Sequence, residues 1–410
     1  MASFTDILFI TRVEDPRDTG DPALYSDLRM QVEGYPAVLP LMRALAAGRP
    51  PAEIMVDLRN KMMKYSVPPF LTPILLKEAM AREGLSVVDI SCLPRGLSQV
   101  DETVANGVGV IALSTTWLLG AGGATAVRDA ARQLRDLAPG TPLVAGGVGV
   151  RKGLRASRLR AAGDIADITD EQMAAEYLLQ DAARDADLDA LILSEGGERT
   201  LAAIAKRVRA GQRFDDLPNL ALPTANGYRF TSSEPEPVQL DEEVVDWRQY
   251  TQRLEGFETP VRTTVGCPYK CQFCDFTGLY KPRSRSLDSL LAELRTLKKA
   301  LPPPRSVFFV DDNIALTRQR LKDLTEALVR EQMGIRWRAF VRADIIDGET
   351  AALMRESGCV ECLLGIESAD PEILANMDKR LDPDKAREAV VHLDENGIRT
   401  QCTFVVGFPG

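Results

Sequence analysis

The segment Gly266-Cys267-Pro268-Tyr269-Lys270-Cys271-Gln272-Phe273-Cys274 carries three cysteines at C-x3-C-x2-C spacing. Three thiolates on one short loop can each ligate one iron of a cubane [4Fe–4S] cluster, which leaves the fourth iron without a protein ligand. That iron can bind the amino and carboxylate groups of a small molecule. A zinc site and three unrelated buried thiols are the alternatives, but structural zinc takes a fourth ligand, and no other Cys or His stands nearby in the sequence. The spacing predicts that Cys267, Cys271 and Cys274 hold an iron–sulfur cluster.

The composition of the whole chain limits the classes of protein to which this loop can belong. The chain has 410 residues, 45% of them hydrophobic and 27% charged, and its net charge is −9. This acidic balance argues against an extended nucleic-acid surface. An odd count of seven cysteines and no secretory signal argue against a disulfide framework, so we expect a cytoplasmic protein that does not enter the membrane. A single histidine, His392, excludes most triads and histidine-rich metal sites.

The first half of the sequence alternates strand and helix patterns, which is typical of a parallel, doubly wound sheet. Apolar runs predict strands at Ile7–Val13, Ser86–Leu93, Gly109–Ser114, Pro142–Gly147 and Ala190–Leu193. Helical periodicity lies between them at Leu71–Glu83, Ala124–Leu137 and Glu198–Ala210. The dipeptide Asn226-Gly227 predicts a hairpin. We therefore expect a Rossmann-like domain over residues 1–235 and an acidic linker over 236–258.

A second alternation runs through residues 259–410. Strands are predicted at Val261–Val265, Ser306–Val310, Ile335–Val341, Val360–Gly365 and Thr400–Val406, each followed or preceded by a helical pattern. Such units predict part of a TIM-like (βα)6 barrel. A barrel that stopped after its fifth strand would leave an open edge, so the pattern predicts a barrel truncated after strand five.

With these strands in place, the second half resembles the radical SAM superfamily, whose enzymes cleave S-adenosylmethionine (SAM) at a [4Fe–4S] cluster. The likeness rests on the cysteine segment and on strand-end motifs at 309–313, 342–344, 365–368 and 406–410. Barrel active sites are built at strand carboxyl ends. The resemblance implies that Phe273 packs near the adenine and that Arg342 is a catalytic residue. It also implies SAM contacts from Asp311, Asp312, Asn313, Glu367 and Ser368. Turn formation and helix capping are the alternative roles for these polar residues.

The first half resembles the cobalamin-binding domain of some radical SAM enzymes. The resemblance implies that cobalamin contacts come from strand ends, at Ser114, Thr115, Thr116, Gly146, Gly147, Glu195 and Gly196. The loop Thr11–Asp18 has no histidine, so any cobalamin would be bound without a histidine ligand to cobalt. A degenerate domain that binds no corrin is the alternative. A methylthiotransferase would need three N-terminal cysteines, and this half has only Cys92.

Together these likenesses imply a cobalamin-dependent radical SAM methyltransferase that acts on an unactivated carbon or phosphorus of a small molecule or natural product. A cyclase or rearrangement enzyme without net methylation is a second hypothesis. A non-catalytic corrin- or metal-binding module is a third, from a different class. We expect a monomer that takes electrons from a flavodoxin or ferredoxin. The sequence does not identify the substrate.

Overall fold

The computed structural model describes residues 4–13, 71–91, 93, 96–116, 123–164, 169–254, 258–303 and 305–409. Within these ranges the strands form a seven-stranded sheet, a five-stranded sheet and a two-stranded ribbon. Cys92 and positions 14–18 of the histidine-free loop lie outside the described residues. No helix in the described part of the chain is both long and apolar enough to cross a membrane.

The seven-stranded sheet has the order β2-β1-β3-β4-β5-β6-β7. Its strands are Thr5–Ile10 (β1), Val87–Ile90 (β2), Val108–Ser114 (β3), Leu143–Gly146 (β4), Ala190–Ile192 (β5), Leu220–Thr224 (β6) and Gly227–Phe230 (β7). The pairs among β1 to β5 are parallel, whereas β6 and β7 are antiparallel. The order of the first five strands is that of a doubly wound sheet, whose ligands bind where the strand order reverses. The predicted Rossmann-like fold is confirmed.

Both faces of this sheet are covered, as the continuous apolar runs predict. Along β1, Leu8 and Ile10 join one hydrophobic cluster while Ile7 and Phe9 join the other. Each such side chain contributes about 1.5–3 kcal/mol when it is fully buried. The helices of this half are Leu71–Arg82 (α1), Leu97–Ala105 (α2), Gly123–Leu137 (α3), Val148–Ala162 (α4), Asp170–Glu176 (α5) and Glu198–Arg209 (α6).

The sequence analysis did not predict α2, α4 or α5. Helix α4 follows β4 directly, and glycines at 147, 149 and 153 hide its helical pattern because glycine is a weak helix former. At Gly147 the backbone φ is +107°, and at Gly149 an added Cβ would lie 2.9 Å from Thr115 Cβ. The glycines therefore bring α4 close to the end of β3.

The second half forms a parallel sheet with the order β14-β13-β12-β11-β8. Its strands are Thr259–Val261 (β8), Arg305–Phe309 (β11), Ile335–Val341 (β12), Cys359–Glu367 (β13) and Arg399–Phe404 (β14). The helices are Thr251–Leu254 (α7), Leu287–Ala300 (α8), Arg318–Arg330 (α9), Gly348–Glu356 (α10), Pro371–Asn376 (α11) and Pro383–Glu395 (α12). Neighbouring strands follow one another in sequence, as they do in the wall of a (βα) barrel.

One predicted strand is wrong. The run 261–265 splits, because β8 ends at Val261 and a separate strand, Thr264–Val265 (β9), pairs antiparallel with Arg283–Ser284 (β10). Asp311 causes the break, since its carboxylate accepts hydrogen bonds from the Thr263 backbone N–H at 2.8 Å and from Thr263 Oγ1 at 2.6 Å. The chain therefore leaves the parallel sheet before the cysteines begin.

The acidic segment predicted as a linker is packed against α8. Trp247 is fully buried, and its Nε1 donates to Glu293 Oε1 at 3.0 Å. The other oxygen of Glu293 accepts from Arg285 Nη1 at 2.7 Å, and both charged side chains are almost completely buried. This hydrogen-bond network holds the segment against α8, in the half of the chain that contains the five-stranded sheet.

Candidate cofactor site

The cysteine loop, residues 266–282, is closed at its base by the β9–β10 ribbon, which pairs Val265 with Arg283 and Thr264 with Ser284. Gly266 begins the loop with φ +69°, and a Cβ there would lie 2.7 Å from the Tyr280 carbonyl oxygen. Only glycine satisfies both conditions without strain. The loop therefore begins with a turn whose backbone conformation is defined by Gly266.

The three cysteines differ in exposure. Cys271 is buried, and Cys267 and Cys274 are half-buried. Burial raises the pKa of the Cys267 thiol, against the opposing effects of the Tyr269 backbone and Arg342. Burial also raises the pKa of Cys271, which Lys379 and Arg342 oppose. Two cations therefore favour the thiolate forms that ligate metal.

No three His, Cys, Asp or Glu side chains among the described residues converge as ligands for one metal ion. The three thiolates that ligate a cubane cluster face one cluster, and each binds a different iron. The loop with its flanking cations fits a cluster, which carries net negative charge when three thiolates ligate it.

Arg342 lies just after β12 and contacts the cysteine loop. Its guanidinium carbon is 3.5 Å from the centroid of the Tyr269 ring. Its Nε and Nη2 donate to Asp344 at 2.9 and 3.1 Å, and Nη2 also donates to the carbonyls of Lys379 and Arg380. These contacts hold the guanidinium at the strand end where the sequence predicts it.

Glu367 ends β13 and forms an ion pair that the sequence does not reveal. Its Oε1 lies 3.2 Å from Lys379 Nζ, and each side chain is only 9% exposed. Glu367 has φ +66°, where the strand register shifts against β14. Lys379 Nζ also lies 5.7 Å from the Phe273 ring centroid. The loop backbone is fixed nearby, because Gln272 N donates to the Met377 carbonyl at 2.9 Å.

The three polar residues after β11 take different positions. Asp311 is buried and holds Thr263, and burial raises its pKa to about 7 despite those hydrogen bonds. Asp312 is exposed. Asn313 is 2% exposed, and neither atom of its side-chain amide has a hydrogen-bond partner. A buried amide without partners is costly, so Asn313 is the member of this set best prepared to bond a ligand.

Ser368 has a local structural role. Its Oγ accepts from Asp370 N at 3.1 Å, while its own N–H donates to the Ile366 carbonyl. This is the turn chemistry that the sequence analysis gave as the alternative for such residues.

The residues predicted to bind cobalamin lie at the carboxyl ends of β3, β4 and β5, which are neighbours in the sheet. Thr115 is fully buried. Its Oγ1 donates to the Gly146 carbonyl at 2.8 Å and accepts from Val150 N at 3.2 Å. Ser114 Oγ accepts from Thr116 N at 3.3 Å. At Gly147 an added Cβ would lie 2.7 Å from Thr116 Oγ1. Thr115 therefore shapes this edge from inside, and the absence of a side chain at Gly147 lets Thr116 pack directly against the Gly147 backbone.

Two further residues complete this edge of the sheet. Glu195 accepts from Arg283 Nη2 at 2.6 Å, so its carboxylate is engaged with β10. Gly196 N donates to the Glu236 carbonyl at 2.9 Å. After β1, the buried Thr11 Oγ1 has no hydrogen-bond partner. An unpartnered hydroxyl at the edge where such sheets bind ligands fits a bound nucleotide-like group.

The sequence analysis missed Lys379, Tyr269 and Arg151. Lys379 follows a short helix with no motif around it, and Arg151 lies on the unpredicted helix α4. A basic residue near Glu367 in three dimensions has no signal in a single sequence. Tyr269 stands inside the cysteine segment, but its stacking on Arg342 depends on the fold.

Comparison with known proteins shows what the second half is similar to. Residues 261–410 match the Radical SAM superfamily. An uncharacterised methyltransferase of Pyrococcus horikoshii is 31% identical over 36% of this chain and 33% of its own length. The bacteriochlorophyllide d C-12(1)-methyltransferase of Chlorobaculum tepidum is 34% identical over the same shares. An anaerobic magnesium-protoporphyrin IX monomethyl ester cyclase of Rubrivivax gelatinosus is 25% identical over 54% of this chain and 42% of its own length. The match thus spans about a third of the length of the first two relatives.

A solved structure shares the architecture of both halves. The radical SAM methyltransferase TsrM from Kitasatospora setae, solved with cobalamin and a [4Fe–4S] cluster, aligns with a TM-score of 0.64. The alignment covers 99% of this chain and 70% of that chain at 16% identity. At this identity the likeness shows the fold.

Proposed function

Because residues 261–410 match the Radical SAM superfamily, we propose that the protein is a cobalamin-dependent radical SAM methyltransferase acting on a small molecule. The observation that carries this proposal is the contact of the cysteine loop with two cations, Arg342 and Lys379, of which Lys379 is the ion-pair partner of the strand-end Glu367. When bound, the cluster supplies the electron that cleaves SAM, and cobalamin carries the methyl group. The electrons would come from a flavodoxin or ferredoxin.

The chain's own residues have three tasks in this proposal. Cys267, Cys271 and Cys274 hold the cluster, and Arg342 and Lys379 offset its negative charge. We assign the binding of SAM to polar groups at the strand ends. The family resemblance names these groups, and their positions in the fold support the assignment. Glu367 supplies an acceptor for the amino or hydroxyl groups of SAM, and Asn313 supplies a donor and an acceptor that the protein itself leaves unused.

For cobalamin, the proposal places the cofactor at the carboxyl edge of β3, β4 and β5. The buried Thr11 hydroxyl after β1, which has no hydrogen-bond partner, supports this placement, since doubly wound sheets bind ligands at this edge. No histidine of the described edge is available as a cobalt ligand, because the sequence has only His392.

A non-methylating cyclase is the second candidate, and the magnesium-protoporphyrin cyclase relative favours it. Both candidates use the same cluster and the same SAM site. They differ in the product, because methylation adds the mass of one methylene to the substrate and cyclisation does not.

SAM cleavage tests the first part of the proposal. The chain is reconstituted anaerobically with iron and sulfide, reduced with dithionite and given SAM, and 5′-deoxyadenosine is measured by mass spectrometry. We expect C267A, C271A and C274A each to abolish the product. C402A is the matched control, since Cys402 is a half-buried cysteine on β14 outside the loop. Formation of 5′-deoxyadenosine by all three loop variants would refute the proposal.

Corrin binding tests the second part. The reconstituted chain is incubated with hydroxocobalamin, desalted and examined by visible absorption. We expect corrin bands to stay with the protein. An iron–sulfur absorption without corrin bands would show that the first half binds no cobalamin.

A further inference from the structure

The cysteine loop is held on two sides, and only one side belongs to the sheet that carries the SAM motifs. On that side Tyr269, Gln272 and Phe273 contact the ends of β12 and α11. On the other side, residues 275–283 contact helix α4 and the end of β5 in the seven-stranded sheet. The second set of contacts is a polar clasp formed by Arg151, Lys152, Arg155 and Glu195.

Arg151 makes the central contact of this clasp. Its Nε donates to the Leu279 carbonyl at 2.9 Å, and Nη2 donates to the same oxygen. Nη1 reaches back to the Leu193 carbonyl at 3.4 Å. The guanidinium carbon lies 5.1 Å from the centroid of the Tyr280 ring. One side chain thus bonds a carbonyl at the end of β5 and a carbonyl of the cysteine loop.

Two neighbours on α4 reinforce the contact. Lys152 Nζ lies 2.7 Å from Asp275 Oδ2 and 5.5 Å from the centroid of the Phe276 ring. Arg155 Nη1 donates to the Asp275 carbonyl at 3.4 Å. Asp275 directly follows Cys274, the third cysteine. The clasp therefore begins one residue after the last ligand.

The start of α4 is fixed to the edge where we place cobalamin. Thr115 Oγ1 accepts from Val150 N, and the Thr115 carbonyl accepts from Gly149 N at 3.0 Å. Arg151 directly follows Val150 in the sequence. A helix rises about 1.5 Å per residue, so Arg151 stands about one turn from Gly147. The first turn of α4 is a rigid spacer between the glycine edge and the cysteine loop.

We propose that Arg151 is a positioning residue that fixes the cysteine loop relative to the carboxyl edge of the seven-stranded sheet. It would thereby set the separation of the two cofactor sites. This inference rests on the proposed function for the identity of the cofactors. The contact itself is independent of that function, because it joins protein groups only.

Hydrogen–deuterium exchange on the full chain without cofactors tests the contact. R151Q removes the paired donors to the Leu279 carbonyl, R151K retains one cation, and R158Q changes an exposed arginine on the same helix. We expect exchange in residues 266–283 to rise about tenfold in R151Q, as loss of a half-buried charge-assisted hydrogen bond implies. R151K should restore part of the protection, and R158Q should match wild type. Unchanged exchange of this segment in R151Q would overturn the proposal.

The electron paramagnetic resonance spectrum of the reduced cluster tests the positioning role. Spectra are taken with and without hydroxocobalamin for wild type, R151K, R151Q and R158Q. The reductant forms cob(II)alamin in every sample with hydroxocobalamin, and its own signal is set aside. We expect hydroxocobalamin to change the cluster signal of wild type and R158Q and to leave that of R151Q unchanged, with R151K between them. An R151Q spectrum that responds as wild type does would overturn the proposal, even if R151Q lowers the melting temperature. Wild type that forms no cluster or binds no cobalamin refutes the proposed function instead, and the exchange experiment still decides the role of Arg151.

Discussion

Replacement of Lys379 by methionine tests how the strand-end carboxylate of Glu367 is held. The Nζ–Oε1 distance is 3.2 Å and both side chains are 9% exposed. At that separation the Coulomb attraction is about 5 kcal/mol for an effective dielectric constant of about 20. Methionine keeps most of the volume of lysine, so the cavity cost is small, but Glu367 is left as an unpaired buried charge. Removal of one partner of a buried pair costs about 3–5 kcal/mol, and we expect K379M to lose about 3 kcal/mol or more of unfolding free energy.

Urea unfolding of the chain without cofactors measures this loss, followed by fluorescence of the buried Trp247 and Trp337. A double-mutant cycle with E367Q separates the pair from its surroundings. The K379M/E367Q chain has no unpaired charge, and we expect it to be more stable than either single variant. K385M is the matched control on the exposed face of α12 and should change the free energy by less than about 0.5 kcal/mol. A K379M loss below about 1 kcal/mol, or a double variant whose loss equals the sum of the single losses, would refute the reasoning.

Three other outcomes depend on single contacts elsewhere in the fold. Y228F removes the hydroxyl that donates to buried Asp185 at 2.5 Å, and we expect a loss of about 1.5–3 kcal/mol in thermal unfolding because the acceptor is charged; an unchanged melting temperature would contradict this. G147A places a Cβ 2.7 Å from Thr116 Oγ1 at φ +107°, so Thr116 or the turn must shift at the edge where we place cobalamin. Hydroxocobalamin binding should then weaken about tenfold or more while the overall circular dichroism spectrum is retained, and full binding would argue against this edge. Burial raises the pKa of Glu293 from 4.5 to about 7, so between those values the native state binds more protons than the unfolded state, and stability falls as pH rises. E293Q should flatten that part of the pH profile of unfolding, and an equally steep profile would show that Glu293 does not cause it.

Strands and most helices were predictable because burial imposes periodicity on the sequence itself. The run Gly109–Ser114 predicts β3, and Asn226-Gly227 predicts the β6–β7 hairpin, which the structure confirms. The prediction failed where tertiary contacts overrode the local pattern. Asp311 breaks the run 261–265 by bonding Thr263, and these residues lie 48 positions apart. Helix α4 was hidden by glycines that its close packing on Thr115 requires.

The features of the candidate site also divide into those that the sequence predicts and those that depend on the fold. The sequence by itself located the cysteine loop and predicted its role, because C-x3-C-x2-C spacing and the glycine before it are local chemistry. It also placed Arg342 and Glu367 at strand ends, since a parallel sheet brings those ends to one edge. Only the tertiary structure decided which charges meet the loop, namely Lys379 beside Glu367 and Arg151 on the Leu279 carbonyl. Those contacts join residues 12 and 128 positions apart, and side-chain pairs of this kind form from packing geometry that no sequence period records.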